Sequence, residues 1–314
     1  MPAFAGMTQE ETDRTPGRLT LSTAVTYDAC ERLPTRRNGR QVRMCGSRGS
    51  EKQCMTERFE VTLNTPAGRL TTALDVPTEF IPITAVVPIA RRLGEEAGHL
   101  EEHQARERGQ TVSCRMGCAA CCRMLVPVSP PEAFALRHYV EQLPPERRTF
   151  VVKRLAESRV TLEAHGLWDR LWAIADADRA VSDEELDPLN RAYYGLRHPC
   201  PFLENEICSI YEARPAACRE LQVTSPAEYC ADIENNPVVA LPVSMRVGTI
   251  LGLLWGSLTK TPPRLIPLPV ALSWADKHKE TAGRTWPGSQ LIDELLDKMW
   301  RFLSQEFEAR KAKP

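Results

Sequence analysis

No secretory leader is expected from the sequence. Its first residues, MPAFAGMTQEETDR, offer neither a basic n-region nor the apolar run of about 7–15 residues that such a signal needs, so a cytoplasmic location is expected. It also has almost no excess of either charge, with 40 Lys and Arg against 41 Asp and Glu. A formal net charge of −1 and a pI near 6.6 give no overall attraction to phosphate backbones or anionic membrane surfaces, so nucleic acid and membrane are not the expected partners. Long hydrophobic runs are missing too. The most apolar stretch, Val247 to Leu258, lies between Arg246 and Lys260 and falls short of the roughly 20 residues needed to cross a bilayer, so it reads as a buried helix. There is no Ser-His-Asp signature, no phosphate loop, no glycine-rich nucleotide loop of the doubly wound type, no internal repeat and no low-complexity tract.

What the chain does have is cysteine, eleven in all. In a reducing compartment clustered cysteines point to metal ligands or redox groups rather than to disulfide staples. Three of them, Cys30, Cys45 and Cys54, are scattered through residues 1–56, an arginine-rich segment without an apolar period of 2 or 3.6 that is expected to be a disordered extension. Met55, just before the first ordered pattern, is an alternative start.

Residues 57–314 are expected to form a single domain. Phe59, Val61 and Leu63 alternate, Asn64-Thr65-Pro66-Ala67-Gly68 reads as a turn, and Leu70, Thr72, Leu74 and Val76 alternate again, which predicts a small β-hairpin. From Thr84, the spacing of Ile89, Leu93, Ala97 and Leu100 predicts a helix ending near Gly109, with Pro82 and Pro88 confining its regular part to the later turns. Apolar residues at helical intervals from Pro130-Pro131 onward, Phe134 to Leu171 among them, predict several inserted helices over 130–180. A C-terminal helical region over 240–312 includes an amphipathic helix with Leu291, Ile292, Leu295, Leu296, Met299, Phe302 and Leu303 on one face. The fold class is therefore mainly α with a small β-hairpin.

The remaining eight cysteines fall in two groups within residues 112–232. The first, Cys114-Arg-Met-Gly-Cys118-Ala-Ala-Cys121-Cys122, would place its sulfurs on one stripe if helical, although Gly117 suggests a turn that lets them converge on an ion. The second comprises Cys200, Cys208, Cys218 and Cys230. Pro215 suits the first position of a helix, which would set Cys218 near a helix N-terminus where a thiolate is favoured. A buried stripe of small apolar side chains would be the plainer account of so many cysteines. Four in nine residues strain it.

These residues carry a resemblance. CRMGCAACC, followed by CPFL, a cysteine just before Ser-Ile-Tyr, Arg-Pro-Ala-Ala-Cys-Arg and a last cysteine, resembles the YkgJ-type cysteine-cluster family, or CxxCxxCC zinc- or iron-chelating domain. All eight positions find a match, with three residues rather than two between Cys114 and Cys118. The resemblance implies a metal-binding domain closed by two distant cysteine-rich segments, with Cys114, Cys118, Cys121, Cys122, Cys200, Cys208, Cys218 and Cys230 as ligands. One branch of similar proteins, the flagellin lysine N-methylases, implies methyl transfer from S-adenosylmethionine to a protein as an alternative. A zinc-stabilised protein-interaction module is the other alternative.

Spacing leaves the metal open between an iron–sulfur cluster and zinc. Adjacent side chains such as Cys121 and Cys122 point in different directions, which favours a polynuclear centre or two neighbouring sites. Arg115, Arg123, Arg214 and Arg219 lie beside ligands where they could offset thiolate charge. His99-Leu-Glu-Glu102-His103 formally matches a zinc-peptidase motif, but its charge-rich surroundings read as a solvated helix face. His198 is a possible substitute ligand or an ordinary imidazole. Asp183-Glu184-Glu185 after Ser182 reads as a helix start.

Overall fold

The computed structural model describes residues 56–312, and the expectations for residues 1–55, with Cys30, Cys45, Cys54 and Met55, lie outside them. The alternating run produces the expected hairpin, β1 (Thr56–Thr65) paired antiparallel with β2 (Gly68–Pro77) from Thr56 opposite Pro77 to Thr65 opposite Gly68. Its turn is tighter than the sequence predicts. The Thr65 hydroxyl donates to the Gly68 carbonyl at 2.8 Å and accepts from the Ala67 N–H at 3.2 Å, so Asn64 and Thr65 stay in the ladder. Val61, Leu63, Leu70, Leu74 and Val76 are buried on one face.

After β3 (Phe80–Pro82) and a single 3₁₀ turn comes α1 (Val87–Glu107). Pro88 sits in its first turn, where a missing N–H costs nothing, so this proline helps start the helix rather than restrict it. Gly109, at φ +74°, ends it. A short β4 (Pro127–Val128) leads to four helices, α2 (Pro130–Gln142), α3 (Pro145–Ala164), α4 (Trp168–Ala175) and α5 (Asp183–Gly195). The inserted helices thus run on past the expected limit at residue 180. Ser182 and Glu185 form a capping box at the start of α5, which makes the acidic run one more helix beginning.

Next come the hairpin β5 (Leu203–Glu204) and β6 (Ile207–Cys208), then the five-residue α6 (Ala216–Glu220). The apolar run becomes the buried α7 (Val247–Thr259), followed by β7 (Ile266–Pro267), α8 (Leu268–Lys277), α9 (Lys279–Ala282), β8 (Thr285–Pro287) and α10 (Gly288–Lys311). No described helix is long and apolar enough to cross a membrane. Phe134 of α2, Trp255 of α7 and Trp274 of α8 meet ring to ring at 5.4–6.5 Å in the core. All seven apolar residues expected on the face of α10 are buried in that same core.

Two short antiparallel pairings fasten distant parts of the chain, β3 to β8 and β4 to β7. The first brings Gly288 against the backbone of β2: a Cβ at this position would stand 2.2 Å from the Pro77 carbonyl oxygen. Gly288→Ala is therefore expected to lower stability by about 1–3 kcal/mol, the usual cost of overpacking. Urea unfolding of the variant checks it, and an unchanged midpoint would show that β2 and α10 can move apart freely.

Candidate metal centre

The first cysteine segment is not a helix. Ser113 donates from its N–H to the Val223 carbonyl at 2.9 Å and from its hydroxyl to the Ser225 carbonyl at 2.6 Å, pinning the loop across the chain. Gly117, at φ +87°, then turns it back so that the Cys118 N–H reaches the Arg115 carbonyl at 3.0 Å. Only Ala120–Arg123 coil, as a 3₁₀ turn carrying Cys121 and Cys122. The single stripe of four sulfurs does not form, and the turn suggested by Gly117 does.

The two cysteine segments meet directly through backbone. The Cys200 N–H donates to the Cys122 carbonyl at 2.8 Å. From Cys200 the chain enters the β5–β6 hairpin, whose Asn205 and Glu206 both take positive φ, as a tight two-residue turn requires, and which sets Leu203 opposite Cys208. Cys218 lies on α6, and Cys230 on a 3₁₀ turn (Ala227–Ala231) that packs against the one bearing Cys121 and Cys122. All eight cysteines are free; Cys230 is buried and the others are half-buried. The Val223 N–H points at the Cys114 sulfur from 3.4 Å.

Residues 113–235 match the CxxCxxCC family model. That family is described as a "Putative zinc- or iron-chelating domain", and the matched stretch takes in all eight cysteines and the four inserted helices. Neither curated proteins nor solved structures gave a match.

Within the CxxCxxCC segment the sulfurs group differently from their order in sequence. Burial pushes the Cys230 thiol above its usual pKa, and the neighbours that raise it further are Cys114, Cys118 and Cys121. Cys114 is raised by burial and then by Cys118 and Cys121. Burial pushes Cys200 up to about 12, with Cys208 and Cys121 adding to it. It also raises Cys218 well above the ordinary range, with Cys200, Cys121 and Cys208 adding to it. Cys121 itself is raised strongly, first by its hydrogen bond with Cys122 and then by burial. Cys230 thus sides with the first segment.

Cys218 departs from the sequence expectation, since its pKa rises instead of falling. The reason is burial, with the neighbouring sulfurs of Cys200, Cys121 and Cys208 adding to it. The Glu132 carboxylate of α2 accepts from the Ala216 N–H at 2.8 Å, so the partial positive charge of this very short helix is spent on a carboxylate.

Of the four arginines beside ligands, Arg214 has the widest influence on the sulfurs. Its guanidinium lies 4.0 Å from the centre of the Tyr211 ring, and its positive charge lowers the pKa of Cys114, Cys121, Cys208 and Cys218. Its buried Nε has no hydrogen-bond partner, an open donor next to the cluster. Arg123 ties the first cysteine loop to the β5–β6 turn by two bonds to Glu206, at 2.6 and 3.1 Å. Arg219 binds the carbonyls of Glu212 and Arg214 and pairs with Glu95. Arg115 is exposed.

Eight soft sulfurs are a donor set that suits zinc or iron, and the open Arg214 N–H could offset thiolate charge by hydrogen bonding. Among the described residues, however, no three Cys, His, Asp or Glu side chains already surround a point that one ion could fill. The zinc-peptidase spacing finds no support: His99 and His103 are exposed, His103 faces Glu107 at 3.7 Å and Glu102 faces Arg106 at 3.4 Å. His198 bonds to Ser158 at 2.8 Å, and burial lowers its pKa.

Two carboxylates matter here that the sequence reading passed over. Glu132 is fully buried and also accepts from Ser129, through its N–H at 3.2 Å and its hydroxyl at 2.9 Å, and from Arg91 at 3.4 Å. Glu220, at the end of α6, accepts from the first N–H of α7, Val247, at 2.8 Å. Burial pushes its pKa up to about 8. Each helix is thereby capped by a carboxylate from another, α6 by α2 and α7 by α6. The Ser129-x-x-Glu132 spacing was a legible capping signal for the first of these.

Proposed function

We propose that this chain is a metal-binding protein whose eight cysteines, Cys114, Cys118, Cys121, Cys122, Cys200, Cys208, Cys218 and Cys230, lie at a polynuclear centre, an iron–sulfur cluster or zinc. The observation that carries this reading is the hydrogen bond from the Cys200 N–H to the Cys122 carbonyl, which joins two remote cysteine segments. Iron–sulfur is the first choice, because a vicinal pair among eight sulfurs suits a polynuclear centre better than one zinc. Such a cluster would supply electron transfer, whereas zinc would supply a cross-link. The methylase alternative gains nothing from the fold, since the described strands form only two-stranded antiparallel pairs and no doubly wound sheet.

Protein purified without oxygen is expected to contain iron and acid-labile sulfide and to absorb broadly near ~400 nm. Colourless protein with stoichiometric zinc would shift the reading to structural zinc, and neither metal after growth in iron- and zinc-rich medium would sink it.

The raised thiol pKa values give a further test. Five cysteines, Cys114, Cys200, Cys208, Cys218 and Cys230, are held protonated at neutral pH by burial before anything else. Each must lose its proton to bind as thiolate, so binding should release about four protons per four-thiolate site and weaken steeply as pH falls. Titration of zinc into weakly buffered, metal-free protein with a pH indicator measures this. Uptake without proton release would mean that the thiols are not the ligands.

A further inference from the structure

We infer that the hollow between α1, α6 and the stretch leading into α7 is a binding site for a small oxyanion, a carboxylate or a phosphate, held by Arg91 and Arg214. The site goes beyond the metal-binding reading and stands whether or not the cysteines hold metal.

The hollow is made by what α1 leaves out. Arg91, Gly94, Gly98 and Glu102 follow one another at steps of three or four residues and so share the helix face that lines it. Gly94 lets Val247 of α7 come close, since a Cβ there would stand 2.4 Å from the valine side chain. A Cβ on Gly98, by contrast, would meet nothing within 4 Å. Gly98 therefore fronts open space, in a helix interior where glycine is otherwise a cost. The cavity measures about 170 Å³. At ~30 Å³ per water it has room for a small ion with a few waters, and it is smaller than the roughly 300–1,000 Å³ of sites for drug-sized molecules.

Its walls carry the charge. Arg91 lines it from α1, and Arg214 and Arg219 line it from α6 and the approach to α6. The carboxylates around it are already engaged: Glu95 pairs with Arg219, Glu102 pairs with Arg106, and Glu220 accepts the Val247 N–H. Arg91 reaches Glu132 with one terminal nitrogen at 3.4 Å, and its buried Nε has no partner. Arg214 lies over the Tyr211 ring, forms no ion pair among the described residues, and likewise leaves a buried Nε without a partner. One guanidinium charge is thus unanswered and two donors are unmet, a need that an acceptor with charge spread over two or more oxygens satisfies. The guanidinium fork matches carboxylate and phosphate alike.

The same wall adjoins the cysteine centre. Along residues 214–223, Arg214, Arg219 and Gln222 line the hollow, while Cys218 sits among them on α6 and the Val223 N–H points at the Cys114 sulfur from 3.4 Å. With five N–H donors, the Arg214 guanidinium can hold an anion and still lend its charge to the sulfurs.

The test is isothermal titration calorimetry of the full chain as purified, with sodium phosphate and with sodium acetate at constant ionic strength and sodium chloride as the control. Saturable uptake of one anion per chain is expected for at least one of the two. Phosphate alone would assign the tetrahedral class, acetate alone the planar one, and both an oxyanion site that accepts either. Gly98→Leu should fill the hollow and weaken binding by about tenfold or more without lowering the melting temperature, because its Cβ has room and leucine suits a helix. Arg214→Gln should weaken it by about as much, and Arg214→Lys, which keeps the charge but not the fork, should fall between parent and Arg214→Gln. Thermal unfolding of each variant shows that it is folded, and the two substitutions lie on different walls, so the loss of one fold leaves the other variant to decide. Chloride bound as tightly as the oxyanions, no saturation by either oxyanion, or a folded Gly98→Leu or Arg214→Gln that binds like the parent would overturn the site. Metal content measured on the same samples separates that outcome from a failure of the metal-binding reading.

Discussion

Cys218→Ser is expected to lower bound metal and to loosen two stretches at once, residues 112–125 and 198–232, while most of the helical circular dichroism survives. Cys122 and Cys200 are 78 residues apart in sequence, and holding them together costs loop-closure entropy that grows only slowly with length. A four-cysteine metal site contributes on the order of 10 kcal/mol, comparable with the 5–15 kcal/mol by which a whole domain is typically stable. Much of the local order around the cysteines should therefore depend on the loaded centre. The packing of α2, α7, α8 and α10 is a separate matter, because Phe134, Trp255, Trp274 and the buried face of α10 lie in an apolar core of their own. Hydrogen exchange distinguishes the two contributions. If the segment around Cys118 stays as protected in Cys218→Ser as in the parent, the two halves do not share one centre.

Glu132→Ala is the second large effect. The carboxylate is fully buried and receives hydrogen bonds from Ser129, Arg91 and Ala216. Its removal strands Arg91, whose side chain is only 14% exposed and whose Nε already lacks a partner, and it uncaps α2 and α6 together. Breaking a buried ion pair from one side costs about 3–5 kcal/mol, so thermal unfolding should begin roughly 10 °C lower or more in a chain of this size. Glu132→Gln keeps an acceptor for Ala216 but gives up the charge, and should fall between parent and alanine variant. A melting temperature within a degree or two of the parent for Glu132→Ala would show that the network contributes nothing net. Because Ala216 opens the helix that carries Cys218, the alanine variant should also bind metal less tightly than its melting temperature alone would suggest.

The elements legible in the sequence are those in which one periodicity dominates. The hairpin at Phe59–Val76, the buried helix after Arg246 and the seven-residue apolar face after Gly288 all come through, since each is a local pattern with one solution. The cysteine positions were legible through their spacing and through the family they resemble. Their contacts across the chain were not: the Ser113 bonds to Val223 and Ser225 set the first cysteine loop against the stretch that leads to Cys230, and such contacts leave no periodic trace. Cys218 misled for a similar reason. The helix after Pro215 was predictable, but the burial that raises the Cys218 thiol comes from packing with segments far away in sequence. The turn of the hairpin was misjudged by three residues, Asn64, Thr65 and Gly68, because a threonine hydroxyl, rather than extra length, closes it.

The pairing of β3 with β8 has a consequence for the order of events during synthesis. Ile81 waits for Trp286, so the belt that ties β3 to the start of α10 cannot close until the roughly 200 residues between them have been made. Cys230 is translated well before Trp286. At about 5–20 residues per second, the set of eight thiols is complete roughly 3–11 seconds ahead of the strand that closes the belt. During that interval all eight cysteines have been made, whereas the C-terminal helix that completes the apolar core does not yet exist. Metal delivered while the chain is still being made would meet a more open cluster than metal delivered to the finished protein.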